Sequence, residues 1–201
     1  MRPHTIFSYL AFSLIMCISL STVGQNRMVK WAVQKNSTLN VKGSSNVNNF
    51  SCNVTSLAGY DTIVVMDGPT RPMALKGAIS VDVLSFDCHN SLIRKDLRKT
   101  LKVEQYPKMV IRFLTLKSMP FLTDRTEHVN GWVEVELAGV KKIFELNYTF
   151  RRVAGGCIIL KGGRKFCFSD FNLVPPRKLG GLVKIRDDFD VSFELGLIPL
   201  G

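Results

Sequence analysis

The sequence predicts an all-β chain of about eight antiparallel strands, closed as a barrel or stacked as a sandwich, with one amphipathic helix. Three observations carry that expectation. Apolar and polar residues alternate with a period of two along most of the chain, turn-forming residues separate these runs at short intervals, and a single stretch changes to helical spacing.

The chain opens on a different pattern. Residues 1–4 carry Arg2, residues 6–18 are almost wholly apolar or small, and residues 19–24 are small and polar. That order reads as a signal peptide over residues 1–24, with Thr22 and Gly24 as the small residues third and first before a cut ahead of Gln25. The apolar run falls short of the roughly 20 residues a spanning helix needs. A lipid-modified cysteine is disfavoured, because Met16 is bulky and Cys17 lies inside the apolar run. The expected product is an exported chain, periplasmic or secreted, in which residues 25–201 form one domain large enough to bury a core.

The chain carries 27 Lys and Arg against 16 Asp and Glu, a net charge of +11 that becomes +10 when Arg2 leaves with the signal peptide. Such a balance suits nucleic acid, an anionic membrane surface, or solubility alone. Export and the lack of an aromatic-basic module argue against nucleic acid.

The strands follow in order. Leu39, Val41 and Gly43 alternate with Asn40 and Lys42, and Ile79, Val81 and Val83 with Ser80 and Asp82. A strand over 109–116 contributes Phe113. Val133, Val135 and Leu137 alternate with Glu134 and Glu136, and Phe144, Leu146, Tyr148 and Phe150 with Glu145, Asn147 and Thr149. Phe189, Val191, Phe193, Leu195 and Leu197 alternate with Asp190, Ser192, Glu194 and Gly196. Each run has one apolar and one polar face, as a half-buried antiparallel strand requires. Breakers stand between them at Gly59, Asp67-Gly68-Pro69, Pro120, Gly139, Gly155-Gly156 and Pro175-Pro176.

Residues 91–103 are the exception. Ile93, Leu97 and Leu101 recur every four residues beside Arg94, Lys95, Arg98, Lys99 and Lys102, which predicts a helix of about three turns capped by Asn90 or Ser91. Pro107 ends it. Its basic face suits transient contact with an anionic membrane. Without an exposed aromatic anchor, however, a solvated face on a helix that plugs a barrel end is the simpler expectation.

Cys52, Cys88, Cys157 and Cys167 remain after export, an even count that suggests disulfides. Cys157 and Cys167 flank Lys161-Gly162-Gly163-Arg164, a hairpin signal, and a three-residue loop there would set them opposite each other. A two-residue loop would point their sulfurs to opposite faces. If they pair, Cys52 is left for Cys88. A metal site is not expected, since no CxxC occurs and His89 and His128 lack ligand spacing.

Catalytic patterns are scarce. Asp187 and Asp188 are neighbours in an extended run and face opposite ways, adjacent residues such as Cys88 and His89 rarely reach each other as nucleophile and base and Cys88 better suits a disulfide, and His128 stands alone. No G-x-S-x-G, phosphate loop or G-x-G-x-x-G is present. No catalytic residue is therefore assigned. Sequons at Asn36, Asn49, Asn53 and Asn147 matter only in a host that glycosylates.

Several of these stretches resemble the YceI-like family. Val41-Lys42-Gly43-Ser44-Ser45-Asn46-Val47-Asn48-Asn49-Phe50-Ser51-Cys52 is similar to its first hairpin, in the form common among secreted bacterial members. Lys95-Asp96-Leu97-Arg98-Lys99-Thr100-Leu101 through Tyr106-Pro107 resembles its helix and following Tyr-Pro. Gly131 with Gly139-Val140-Lys141-Lys142, and Phe168-Ser169-Asp170-Phe171 through Pro175-Pro176 to Phe189, resemble the later hairpin, closing loop and last strand. Arg94-Lys95, where many relatives have a Met, and residues 119–128 depart from the pattern. The resemblance implies an extended lipocalin-like antiparallel barrel without catalytic residues, holding a polyisoprenoid or quinone-like chain and no other cofactor.

An eight-stranded barrel is wide enough either to be filled by side chains or to enclose one slim ligand. On the first expectation the protein carries an apolar lipid lined by Phe144, Leu146, Tyr148, Phe150, Phe189, Val191, Phe193, Leu195, Val133, Val135, Val81 and Phe113, with Tyr148 as a polar handle for a head group. On the second the same rows pack against one another, and the barrel is a structural or partner-binding envelope protein. A continuous tunnel distinguishes them. An enzyme would need ionisable side chains inside the barrel, where the alternation places few. Oligomeric state is not legible.

Overall fold

The computed structural model describes residues 27–55, 57, 61–67 and 72–200, and the expected signal peptide lies outside them. The strands are β1 (Arg27–Val33), β2 (Thr38–Ser45), β3 (Asn49–Val54), β4 (Thr62–Asp67), β5 (Met73–Lys76), β6 (Ala78–Asp82), β7 (Lys108–Leu116), β8 (Glu127–Leu137), β9 (Val140–Arg152), β10 (Ile158–Cys167), β11 (Arg177–Lys178) and β12 (Val183–Leu200). Helix α1 (Ser91–Thr100) lies between β6 and β7.

Neighbouring strands run β1-β4-β5-β7-β8-β9-β10-β12, and β12 pairs back onto β1. The result is a closed antiparallel barrel of eight strands rather than a sandwich. β1 and β2 both lie along β12, with Val33 opposite Leu197 and Thr38 opposite Glu194, so they are one long strand interrupted at residues 34–37. Ser37 repairs the break: its hydroxyl donates to the Gln34 carbonyl and accepts from the Gly196 amide. Buried backbone groups left by the interruption are thereby satisfied. β5 and β6 likewise share β7 as a common neighbour, separated by Gly77.

This up-and-down course sends the β2–β3 turn, the connection holding α1, the β8–β9 turn and the loop between β10 and β12 to one end, here called the helix end. Ala138 and Gly139 have φ of 49° and 80°, the two positive values that a tight two-residue hairpin requires. At the start of α1 the Asn90 side chain accepts from the amides of Leu92 and Ile93. Asn90, not Ser91, is therefore the cap. The helix ends at Thr100, three residues before the expected limit, and Lys102 (φ 53°) turns the chain toward Pro107.

The predicted alternation sets the core. Aromatic rings fill the barrel in two clusters: Trp31, Phe113, Tyr148, Phe150 and Phe193 in one, and Phe144, Phe166, Phe168, Phe171 and Phe189 in the other. On α1, Ile93 and Leu97 are half-buried against this core, and Leu101, just past the helix, is buried.

The cysteines divide. Cys52 and Cys88 form a disulfide, next to a bridge between Asn53 and Asp87, and this ties β3 to the segment that leads into α1. Cys157 and Cys167 are free, so the expected bond between them does not form. They sit at opposite ends of β10, about 33 Å apart at the rise of an extended strand. The hairpin expected at Gly162-Gly163 is absent because both glycines are mid-strand. Gly162 pairs with Phe193, whose ring lies 2.5 Å from where a Cβ would stand. The glycine serves close approach of an aromatic ring, not a turn. Burial, then the carboxylates of Asp187, Asp170 and Asp188, push the Cys167 thiol upward, away from the thiolate form.

The disulfide closes a loop of 36 residues. By the chain-entropy relation such a loop corresponds to about 4 kcal/mol. Replacing both cysteines by Ser is expected to lower the unfolding free energy by about 2–4 kcal/mol in a denaturant titration of the oxidised protein against the variant.

Candidate ligand-binding site

Two spaces with largely apolar linings concern the expected site, one bordered by the inward rows and one at the helix end. The inner one is a void of about 30 Å³, bounded by residues of both aromatic clusters. Room of that size holds about one or two waters. The outer one is a groove of about 420 Å³ at the helix end, between α1, the β2–β3 turn and the loop before β12. That volume falls within the usual range for small-molecule sites.

Each wall of the groove follows from local sequence. The four-residue spacing of α1 turns Ile93 and Leu97 inward, and the β2–β3 hairpin presents Val47 and Phe50. Gly43, directly across from Phe50, leaves space for its ring: a Cβ there would stand 2.4 Å from Cζ. Beyond Gly180 and Gly181, both with positive φ, Val183 and Ile185 begin β12 and form the floor with Phe168. The Cys52–Cys88 bond borders this space through Cys52, so the disulfide also fixes the distance between hairpin and helix.

Several of the polar groups here are committed to structure. The Lys178 ammonium donates to the Asp96 carboxylate, joining loop to helix across the groove, and Asn90 caps α1. Asn46 closes the adjoining corner by donating to the Leu182 carbonyl at 2.9 Å and accepting from the Lys184 amide at 2.9 Å. What remains facing the groove is largely hydrocarbon and ring, a surface suited to an apolar chain.

The predicted lining residues do turn inward. Phe144, Leu146, Tyr148, Phe150, Phe189, Phe193, Leu195, Val133, Val135, Val81 and Phe113 are buried and Val191 is half-buried. Val133, Val135, Leu146, Phe189, Val191 and Phe193 border the 30 Å³ void, whereas Phe144, Tyr148, Phe150, Leu195, Val81 and Phe113 do not. Tyr148, expected as a handle for a head group, is 1 % exposed among Phe113, Phe150 and Phe193 and borders neither space. Burial drives its phenol pKa far above the ordinary range. Phe168 and Phe189, with ring centroids 4.8 Å apart, stand between the two spaces: the first borders the groove and the second the void.

Sequence reasoning missed most of the groove, because it is assembled from turns rather than from a periodic run. One signal was present. Leu179 and Leu182 bracket Gly180-Gly181, placing apolar side chains in a glycine turn where solvation alone would favour polar ones.

Among the described residues no helix is long and apolar enough to cross a membrane. The disulfide fits an oxidising compartment.

Comparison with known proteins agrees with the architecture. No curated protein matches the sequence. Among solved structures, BcnA from Burkholderia cenocepacia is similar at 14 % identity and a TM-score of 0.60, covering 80 % of this chain and 95 % of its own. A polyisoprenoid binding domain from Saccharophagus degradans, implicated in plant cell wall breakdown, is similar at 14 % identity and a TM-score of 0.63, covering 85 % of this chain and 98 % of its own. The Campylobacter jejuni YCEI protein is 18 % identical with a TM-score of 0.50 over 63 % of this chain and 72 % of its own. At these identities the likeness concerns the fold. The sequence itself matches the YceI-like domain over residues 24–197, from before β1 nearly to the end of β12, and on that match the chain belongs to the YceI-like family.

Proposed function

We propose that this protein binds and carries an apolar, chain-like molecule (a polyisoprenoid, a quinone or a related lipid) in the bacterial envelope, as a periplasmic or secreted protein, and performs no chemistry on it. The observation that carries the proposal is the groove of about 420 Å³, apolar in lining and held open by α1, a disulfide and the Asp96–Lys178 pair. Each methylene transferred from water into such a site contributes about 0.8 kcal/mol, so roughly ten buried methylenes correspond to micromolar affinity, about 8 kcal/mol, before the cost of association. The Saccharophagus neighbour, described as a polyisoprenoid binding domain, supports the same ligand class. The chain lies in the groove against Phe168, and the inward rows expected to line it serve chiefly as the packed scaffold beneath.

A second reading has one observation in its favour. The void bordered by the inward rows measures only about 30 Å³, as a partner-binding barrel without a ligand would show. Mass spectrometry of an organic extract of the protein purified from its native host separates the two. A stoichiometric isoprenoid or quinone supports the carrier. An extract that stays empty even after incubation of folded protein with host lipids moves the assignment to the partner-binding barrel.

A further inference from the structure

The rim of the groove has a composition that the groove itself does not require. Val47, Leu92, Leu179 and Leu182 stand on three separate elements of the helix end, and each is between 60 % and 76 % exposed. Isolated exposed apolar residues are ordinary, but several gathered at one end of a barrel mark a surface that meets something apolar. Asn46 holds two of these elements together through its bonds to Leu182 and Lys184, so the rim is one joined surface.

The charge on the same elements is one-sided. Helix α1 carries Arg94, Lys95, Arg98 and Lys99 against Asp96 alone. Residues 172–186 carry Arg177, Lys178, Lys184 and Arg186 and no carboxylate, with Asp170 just before them and Asp187 and Asp188 just after. On α1, Leu92, Lys95 and Lys99 are exposed along one face, so an apolar residue and two ammonium groups point the same way. Among the described residues, Lys95, Lys99, Arg177 and Lys184 form no ion pair with a carboxylate. Cations that ring an exposed apolar patch complement a bilayer surface with anionic head groups, because the apolar residues reach the acyl boundary while the cations stay at phosphate level. The missing aromatic anchor on α1, which argued against docking by the helix alone, is replaced by leucines on the neighbouring loop.

From this juxtaposition we infer that the helix end docks on an anionic membrane surface, with Leu92, Leu179, Leu182 and Val47 inserted and Lys95, Lys99, Arg177 and Lys184 on the phosphates. The occupant of this surface is lipid head group and acyl boundary. Docking in this orientation faces the groove opening toward the bilayer, and it goes beyond the carrier proposal because it requires no ligand in the groove.

The test is co-sedimentation of the protein, purified from its host, with vesicles of phosphatidylglycerol and phosphatidylethanolamine, set against vesicles of phosphatidylcholine. Arg177, Lys184 and Leu182 do not border the groove, so variants there leave lipid carriage intact. The protein is expected to pellet with the anionic vesicles and to be released as salt is raised. Arg177→Ala with Lys184→Ala is expected to weaken partitioning by about 30-fold, and Leu182→Ser by about tenfold or more. Protein that stays in the supernatant, or binding that neither variant changes, overturns the inference. So does concentration-dependent self-association abolished by Leu182→Ser without vesicle binding, which would assign the rim to a second copy. Retention of a co-purified lipid by these variants, measured in parallel, keeps failure of docking distinct from failure of the carrier proposal.

Discussion

Leu97→Trp is expected to remove most of the affinity for a long apolar chain while leaving the barrel folded. Leu97 is half-buried on the inner face of α1 and lines the groove, outside the two aromatic clusters that hold the barrel together. An indole there takes the place of ligand. If it displaces about four methylenes, the loss is about 3 kcal/mol, or roughly two hundredfold in dissociation constant. Titration with a fluorescent fatty-chain probe measures this directly, and the circular dichroism of the barrel checks the fold. Val135→Leu is the control, because Val135 borders the inner void of about 30 Å³ and not the groove. It is expected to leave binding unchanged. The reverse pattern, with Val135→Leu blocking the probe and Leu97→Trp tolerated, would place the chain inside the barrel.

Gly131→Ala is expected to destabilise the protein by about 3 kcal/mol or more, far beyond the usual effect of one methyl group. Gly131 lies on the inward face of β8, opposite Leu116 on one side and Leu146 on the other. The β7–β8 register shifts between Phe113 and Thr115, and this bulge carries the Thr115 carbonyl over the glycine. A Cβ would stand 2.2 Å from that oxygen and 2.8 Å from the Tyr148 ring. The oxygen belongs to backbone and cannot withdraw without disturbing the ladder, and the ring is enclosed by Phe113, Phe150 and Phe193. A guanidinium denaturation midpoint close to that of the parent protein would show that the barrel relaxes there more easily than its packing implies.

Much of the barrel was legible in the chain for a definite reason. Period-two alternation reports directly which side chains face inward, and Phe144, Leu146, Tyr148 and Phe150 of β9 all do. The helix was equally plain, since Ile93 and Leu97 repeat at its pitch. The hairpin expected at Gly162-Gly163 failed because a glycine pair has two physical uses. It permits a turn, and it makes room for an aromatic ring from the neighbouring strand; only the position of Phe193 decides between them. The false hairpin then carried the false Cys157–Cys167 pairing with it, while Cys52 and Cys88 did meet.

Periodicity and motif order were enough for the strand faces, the amphipathic helix, the all-β class and the family, and the family resemblance in turn implied the barrel. These follow from local periodicity and from ordered motifs, which survive without knowledge of distant contacts. Tertiary structure alone decided where open space remains. Rings from β10, the turn after it and β12 meet inside the barrel around a void of about 30 Å³, whereas a turn, a helix and a glycine-rich loop that are far apart in the chain stand off from one another and leave about 420 Å³. The volume between elements depends on how side chains from many segments interlock, and no single segment encodes it.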